Sequence, residues 1–207
     1  MGPEMKKLAA LLLLTLTGCS ACTKNLPDLL FAVPLEVDPS IAIFTPDGGG
    51  GHACPVEGQV ITARHVMWSP QYKQFLMASW SSQGAKGGAL VVGQAYTLDI
   101  VQLELGGGIV PYLALGPLPK PGDKIYWFEY DFRTAANAYR ARRRMGKVLR
   151  SVAGHLVLDS PPVPGASGSC LLDANGDVVG IVIATLDTED GRSVGVAVEL
   201  TRDMVTP

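Results

Sequence analysis

The chain has 207 residues, a formal net charge of −2 and only 17% charged side chains. This balance argues against a nucleic-acid-binding surface, which needs a local excess of lysine and arginine. The length is enough for one large all-β domain or two small barrels around real cores, even without the first 18 residues. Glycine and proline are abundant, at 24 and 15 residues, and long helical patterns are scarce.

The first residues of the chain have the pattern of an export signal. Two lysines precede an apolar run over residues 8–16, which is shorter than the about 20 residues that span a membrane. The run ends in LTGC, which resembles the lipobox of bacterial lipoproteins, where the cysteine is lipidated and becomes the first mature residue. The sequence therefore predicts a lipoprotein signal peptide over residues 1–18, a lipid anchor on Cys19 and a tether over residues 19–40.

Such an anchor predicts an exported protein on the periplasmic side of a bacterial cell envelope. Ser20, rather than an aspartate, follows the lipobox cysteine, which favours the outer membrane in a host that has one. The alternative is an ordinary signal peptide followed by cysteines that carry no lipid. Three further cysteines, Cys22, Cys54 and Cys170, allow at most one disulfide among themselves in an exported chain.

Beyond the tether, short segments rich in β-branched and aromatic residues alternate with glycine and proline turns. This pattern predicts many short strands and hence a sandwich or barrel. Residues 105–123 are rich in glycine and proline and have no clear period, so they are the best candidate for a connection between two halves. The predicted strands, in chain order, are SIAIFT, GQVITA, KQFLMASW, ALVVGQAYT, DIVQLEL, DKIYWFEYDF, GKVLRSV, HLVLDS, DVVGIVIATL and SVGVAVEL.

A basic run, YRARRRMGK, occupies residues 139–147. It predicts either a surface for an acidic partner or anionic lipid, or a solvated loop or hairpin without a binding role. The alanines in RTAANAYRARRR favour a short helix.

Ser167 lies between two small residues in PGASGSC, where it is either a nucleophile on a strained turn or part of a flexible loop. A serine becomes a nucleophile when a base takes its proton, and the base is usually a histidine oriented by a carboxylate. His65 follows an apolar strand in VITARHV, whereas His52 and His155 have no such setting. Asp99 begins the apolar segment DIVQLEL, where a partly buried carboxylate needs a donor such as a histidine ring N–H.

The chain order His65, Asp99, Ser167 separates the classes of serine hydrolase. An α/β-hydrolase has its histidine after the serine, and no histidine follows Ser167. A subtilisin-type chain would need an aspartate before His65, such as Asp47, within an α/β pattern that this sequence lacks. Metal chemistry is not indicated, because the sequence has no HExxH, no CxxC and no clustered ligands at metal spacing.

Three blocks of the sequence resemble the signature blocks of trypsin-fold serine proteases, especially the bacterial exported branch that includes the high-temperature-requirement proteases. These blocks are VITARHV, LDIVQLEL and PGASGSCLLDANGDVVGIVIA. The resemblance implies an all-β fold of two six-stranded antiparallel barrels packed together. The first barrel is expected over residues 41–105, the inter-barrel connection over 106–120 and the second barrel over 121–207.

The resemblance also implies the roles of the site residues. His65 is expected to be the general base, Asp99 its orienting carboxylate and Ser167 the nucleophile, with an oxyanion hole formed by the N–H groups of Gly165 and Ser167. The implied activity is serine endopeptidase hydrolysis of a protein or peptide substrate, without a cofactor or metal and without nucleic acid. The resemblance places both Cys54 and Cys170 near the active-site region. It thus leaves two alternatives, a Cys54–Cys170 disulfide and buried or free thiols.

The sequence departs from the family pattern at three places. Cys170 stands where proline or a small apolar residue is usual, and no charged residue lies in the segment Pro161–Ala166 that precedes Ser167. The second feature predicts a primary pocket for apolar or small side chains rather than arginine or lysine. The sequence also stops near the end of the second barrel, so the peptide-binding module of the high-temperature-requirement group is not expected, nor is cage assembly.

Two other functions compete with a peptidase. A catalytically inactive descendant would keep the fold as a binding or scaffold lipoprotein, although binding alone does not need an intact triad. The second competitor is a serine hydrolase that acts on esters rather than on peptide bonds.

Overall fold

The computed structural model describes residues 38–95, 98–108, 110–130 and 141–205. The predicted signal peptide, Cys19 and the tether before Asp38 lie outside these ranges, as does Arg140 of the basic run. Within the described ranges, no helix has the length and apolar character needed to cross a membrane.

The first half of the described chain forms a closed six-stranded barrel. Its strands and the short elements inserted between them are, in chain order, β1 Ile41–Phe44, β2 Gly50–Val56, β3 Gln59–Ala63, helix α1 Arg64–Met67, β4 Trp68–Ser69, β5 Gln74–Phe75, β6 Ala78–Ser82, β7 Ala85–Ala95 and β8 Ile100–Gly106. The barrel order is β1-β2-β3-β8-β7-β6, closed by antiparallel pairing of β6 with β1, and β4 and β5 form a separate two-stranded sheet.

The second half forms another closed six-stranded barrel, of order β10-β11-β14-β13-β12-β9. Its elements are β9 Lys124–Tyr130, β10 Ala141–Val152, β11 His155–Leu158, β12 Cys170–Leu172, β13 Val178–Asp187, β14 Ser193–Glu199 and helix α2 Arg202–Val205. All the neighbouring strand pairs of both barrels are antiparallel. The expected all-β fold of two six-stranded barrels is therefore confirmed.

The strands form where alternate side chains can be buried in a barrel core. In β6, Ala78, Trp80 and Ser82 are buried while the two intervening serines are exposed, which is the period-2 pattern of a strand with one face in the core. The Trp80 ring is 1% exposed and its indole N–H donates to the Gly106 carbonyl at 3.0 Å. Burial of such a side chain stabilises the fold by about 1.5–3 kcal/mol, and its polar atom retains a partner.

Strand β2, GGHACPV, is the main element that the predicted strands did not include. Its glycines are required by close approach rather than by a turn, because a Cβ on Gly50 would lie 2.6 Å from the Ile43 carbonyl of β1. Most of the segment predicted to form a short helix, residues 133–140, lies outside the described residues, and the described part of the basic run fits the hairpin alternative. Arg142–Arg144 belong to β10, where they pair with β9 and one of them reaches the carboxylate of Glu129.

A disulfide joins Cys54 of β2 to Cys170 of β12, with a Cα–Cα distance of 4.9 Å. Both cysteines are fully buried. The sequence left two alternatives for these cysteines, and the structure has the paired one. The bond connects the first barrel to the second, close to Ser167 in the chain.

Candidate active site

The fold brings His65 and Asp99 together through two neighbouring strands. Ala63, the last residue of β3, lies opposite Ile100, the first residue of β8. The residue that precedes β8 must therefore lie beside the turn that follows β3. The N–H of Arg64 donates to the carbonyl of Asp99 at 2.8 Å, and Nδ1 of His65 lies 2.7 Å from Oδ2 of Asp99.

This hydrogen bond determines the tautomer of the ring. A carboxylate can only accept, so Nδ1 of His65 carries the hydrogen and Nε2 keeps a lone pair that can take a proton. Asp99 has a φ of +53°, a left-handed conformation that aspartate adopts more readily than most residues. The side chains of His65 and Asp99 are 47% and 36% exposed, so the pair is open to a substrate.

The short helix α1 holds His65 by its neighbours. Val66 and Met67 are buried in the first barrel. On the other side of His65 in the chain, the Arg64 guanidinium lies 4.9 Å from the ring centroid of Trp68 and 5.6 Å from that of Phe75. These cation–π contacts hold Arg64 in place. The imidazole is therefore exposed on an anchored turn.

The segment that contains Ser167 is a tight turn held by the second barrel. Gly165 and Gly168 both have positive φ, at +95° and +85°, which only glycine adopts at little cost. The Gly168 N–H donates to the Val182 carbonyl at 2.7 Å, and a Cβ on Gly168 would lie 1.8 Å from the His52 carbonyl. The turn is thus closed against the first barrel, and the interpretation of a flexible loop does not fit this geometry.

Contacts of the Ser167 carbonyl with β2 place this serine next to helix α1, which carries His65. Its carbonyl accepts from the His52 N–H at 2.8 Å. A Cβ on Gly51 would lie 2.7 Å from that carbonyl and 2.8 Å from a methyl of Val66, the residue after His65. Glycine is needed at 51 because the serine turn and helix α1 meet over it.

The hydroxyl of Ser167 donates to the Ile183 carbonyl at a long 3.4 Å. Within the described ranges, no hydrogen bond joins this hydroxyl to the His65 ring. The structure thus pairs His65 with Asp99 and brings the serine turn beside them, without a serine–histidine hydrogen bond. Catalytic hydrogen bonds are often long or poorly aligned before substrate binds and tighten in the substrate complex.

The backbone N–H groups around Ser167 divide into two sets. Those of Ala166, Gly168 and Ser169 donate to carbonyls of the second barrel or of the turn itself. Those of Gly165 and Ser167 donate to no acceptor in the described part of the chain. These two N–H groups are therefore available to a ligand, which is what an oxyanion hole requires.

Ser169 is excluded as a second nucleophile by its burial. It is 0% exposed and its hydroxyl donates to the Phe128 carbonyl at 2.7 Å.

In the part of the chain that the structure describes, no group of three or more histidine, cysteine, aspartate or glutamate side chains could hold a metal ion.

The sequence reasoning missed two buried residues that hold the serine turn. His52 in β2 is fully buried, and its Nδ1 lies 2.8 Å from the Gly165 carbonyl. Glu129 in β9 is 3% exposed and accepts from the Val163 N–H at 3.1 Å, while Arg144 neutralises it at 2.6 Å. An acid within the aromatic segment YWFEY was the available signal for Glu129, and the glycines before His52 concealed its strand.

Burial has a clear electrostatic effect on His52. Removal from water lowers the pKa of this imidazole to about 4, and the hydrogen bond to the Gly165 carbonyl opposes the shift only in part. The ring is therefore neutral at neutral pH.

Two closed barrels, a histidine–aspartate pair and a glycine-framed serine define the trypsin-like class of serine proteases. The family model of the trypsin-like peptidase domain matches residues 48–181, and the chain belongs to that family. No curated protein matches the sequence significantly.

Solved structures are similar to the chain in fold. The serine endoprotease from Yersinia pestis is 18% identical with a TM-score of 0.64, over 78% of this chain and 58% of that one. The HtrA-type protease AlgW with a tripeptide is 22% identical with a TM-score of 0.64, over 82% and 58%. The serine protease of a human pathogenic astrovirus is 18% identical with a TM-score of 0.61, over 83% and 96%. The chain thus spans less than two thirds of the first two structures.

Proposed function

We propose that the protein is a serine endopeptidase that hydrolyses peptide bonds through an acyl-enzyme on Ser167. The observation that carries the proposal is the 2.7 Å hydrogen bond from Nδ1 of His65 to Asp99, which leaves Nε2 free to act as a base beside the serine turn. In the reaction, the Ser167 hydroxyl rotates away from the Ile183 carbonyl and transfers its proton to His65 Nε2 as its oxygen attacks the substrate carbonyl.

The developing negative charge lies on the substrate oxygen. The free N–H groups of Gly165 and Ser167 stabilise it, and each such donor contributes about 3 kcal/mol in related chemistry. The protonated His65 then gives its proton to the leaving amine. A water molecule deprotonated by the same ring hydrolyses the ester on Ser167 and restores the enzyme.

The second candidate is a catalytically inactive module of the same fold that binds a protein partner. One observation favours it, namely that Ser167 donates to the Ile183 carbonyl and not to His65. This candidate predicts a folded protein whose serine does not react with active-site reagents.

A fluorophosphonate probe separates the two candidates, because it labels only a serine whose proton is taken by a nearby base. We expect labelling of the wild type that disappears in Ser167→Ala and persists in Ser81→Ala, a control at an exposed serine of β6. Absence of labelling in the folded wild type would support the inactive module. Parallel assays on casein and on short esters distinguish an endopeptidase from an esterase.

The substrate preference follows from the segment before Ser167. The Thr185 hydroxyl donates to the Pro162 carbonyl at 2.7 Å, which holds this segment against β13. A Cβ on Gly195 would lie 2.9 Å from the Pro162 ring. None of these residues carries a charge, so we propose cleavage after apolar or small side chains. A digest of a peptide library that yields cleavage mainly after arginine or lysine would contradict this preference.

We also propose that the protein is exported and anchored by lipid on Cys19, at the outer membrane where the host has one. The Cys54–Cys170 disulfide supports export, because such bonds persist in oxidising compartments. Labelling of producing cells with radioactive palmitate tests the anchor. Incorporation should be lost in Cys19→Ala and retained in Cys22→Ala, and equal incorporation in both variants would refute the assignment.

A further inference from the structure

We propose that His52 is a positioning residue that holds the serine turn, Gly165–Gly168, from across the junction of the two barrels. It does so by donating a hydrogen bond from Nδ1 to the Gly165 carbonyl. The inference rests on the proposed function, since it assigns a purpose to the turn that presents Gly165 and Ser167.

The position of His52 is unusual for a polar side chain. It lies on β2 of the first barrel, and it is 0% exposed. Its ring nevertheless reaches a residue 113 positions later in the chain, within the second barrel. A buried polar ring costs free energy unless its atoms are hydrogen-bonded, so the bond to Gly165 accounts for a histidine at this site.

The backbone of His52 makes the same connection. Its N–H donates to the Ser167 carbonyl at 2.8 Å, and its carbonyl accepts from the Thr62 hydroxyl. The carbonyl also lies against Gly168, where no side chain fits. Residue 52 is therefore fixed by its backbone, and its ring has a defined place from which to hold Gly165.

The donor atom follows from chemistry. A backbone carbonyl can only accept, so Nδ1 of His52 carries the hydrogen. Burial keeps the ring neutral, and then Nε2 has no hydrogen. The Asp38 carboxylate lies close to the ring, with its Oδ2 3.9 Å from Nε2. Asp38 has further interactions of its own.

The target of the bond is the part of the turn that most needs a restraint. Gly165 has a φ of +95° and no side chain to restrict its peptide planes. Its N–H is one of the two free donors, and its carbonyl is the group that His52 holds. The carboxylate of Glu129 fixes the Val163 N–H two residues earlier. The turn is thus restrained from both barrels. The carbonyl that His52 holds lies in the peptide plane that joins Gly165 to Ala166, whose N–H donates to the Val163 carbonyl. Removal of the His52 contact should loosen this plane and, through rotation at Gly165, change the direction of the Gly165 N–H.

A matched pair of variants tests the role. Asparagine and leucine side chains are nearly equal in shape, but His52→Asn keeps an N–H donor near the position of Nδ1 and His52→Leu has none. We expect His52→Leu to lower kcat on a fluorogenic peptide by about 100-fold with little change in KM, the effect of losing an oxyanion donor. His52→Asn should recover about 10-fold or more of that loss, because its amide can restore the bond.

Equal kcat values for the two variants would overturn the proposal, because the donor would then have no effect. A second measurement needs no variant. Nitrogen-15 NMR of the wild type should show the His52 hydrogen on Nδ1, and a hydrogen on Nε2 would overturn the proposal even if His52→Leu does not fold.

If the wild type neither cleaves peptides nor reacts with fluorophosphonate, the proposed function fails and the positioning role is still tested. The amide signals of Gly165 and Ser167 should then shift in His52→Leu and lie close to wild type in His52→Asn. Unchanged signals in both variants would count against the role of His52.

Discussion

Loss of the disulfide between the barrels should destabilise the protein by an amount that the chain separation predicts. Cys54 and Cys170 are 116 residues apart in sequence. A cross-link over a loop of that length removes conformational entropy from the unfolded chain equivalent to about 5 kcal/mol at 25 °C. Because marginal stability is about 5–15 kcal/mol for a domain, the reduced protein should unfold at much lower denaturant concentration.

The cleanest comparison keeps the side chains identical. Urea unfolding of the oxidised wild type is compared with unfolding of the same protein in excess reductant, followed by intrinsic tryptophan fluorescence. The double variant Cys54→Ala/Cys170→Ala provides a second measurement, and it should show no further response to reductant.

A difference below about 1 kcal/mol between the unfolding free energies of the oxidised and reduced proteins would refute this reasoning. The cross-link would then remove little conformational entropy from the unfolded chain. Maleimide labelling of the unfolded, unreduced chain checks the premise directly. Cys54 and Cys170 should not be modified without reductant, and modification of both would contradict the pairing.

Three further perturbations test the turn, the pair and the buried ring. Gly168→Ala should lower the free energy of unfolding in urea by about 3 kcal/mol or more, because its Cβ would overlap the His52 carbonyl. The control Gly58→Ala, at φ +82° in open space, should lower it by about 1–2 kcal/mol. Equal losses in the two variants would contradict the overlap. Asp99→Asn should lower kcat by about 10⁴-fold, because an asparagine donor disfavours the His65 tautomer with hydrogen on Nδ1; a fluorogenic peptide assay showing less than about tenfold loss would contradict that role. Because the folded pKa of His52 is about 4 against 6.5 unfolded, stability is fully present above pH 6.5 and falls by up to about 3 kcal/mol as pH drops to 4. Urea unfolding across this pH range should show a smaller loss in His52→Asn, and identical pH profiles would contradict it.

Most of the strands could be predicted because their burial follows local alternation. Strand β6 is the clearest case, since its buried Trp80 and exposed serines repeat with period 2. Strand β2 could not be predicted from composition, because its glycines allow close contacts with backbone atoms of residues elsewhere in the chain. The Cβ of any residue at 51 would meet the Ser167 carbonyl, a contact that exists only after the barrels have folded together.

The candidate site shows the same division. The chain order and the sequence blocks predict His65, Asp99 and Ser167 as the site residues, and β3–β8 pairing explains why the first two meet. The supporting contacts of His52 and Glu129 depend on the junction of the barrels and on one buried carboxylate. They carry no local sequence pattern, because their partners are backbone groups whose positions the fold alone determines.

The described part of the basic run gains its role from tertiary pairing. The alanines on which the helix prediction rests precede the described part, whereas Arg144 lies in β10 opposite β9 and its guanidinium binds the buried Glu129. The described part of the run therefore supports the wall that holds the serine turn, which the sequence alone did not indicate.

We propose that catalysis passes through a covalent acyl intermediate on Ser167. Its most direct test is the intact mass of the chain after acid quenching during turnover of an activated ester, with the modified peptide located by fragmentation. One acyl group is expected on Ser167 of the wild type, and none in Ser167→Ala. An unmodified wild type, or an acyl group on another residue, would contradict it.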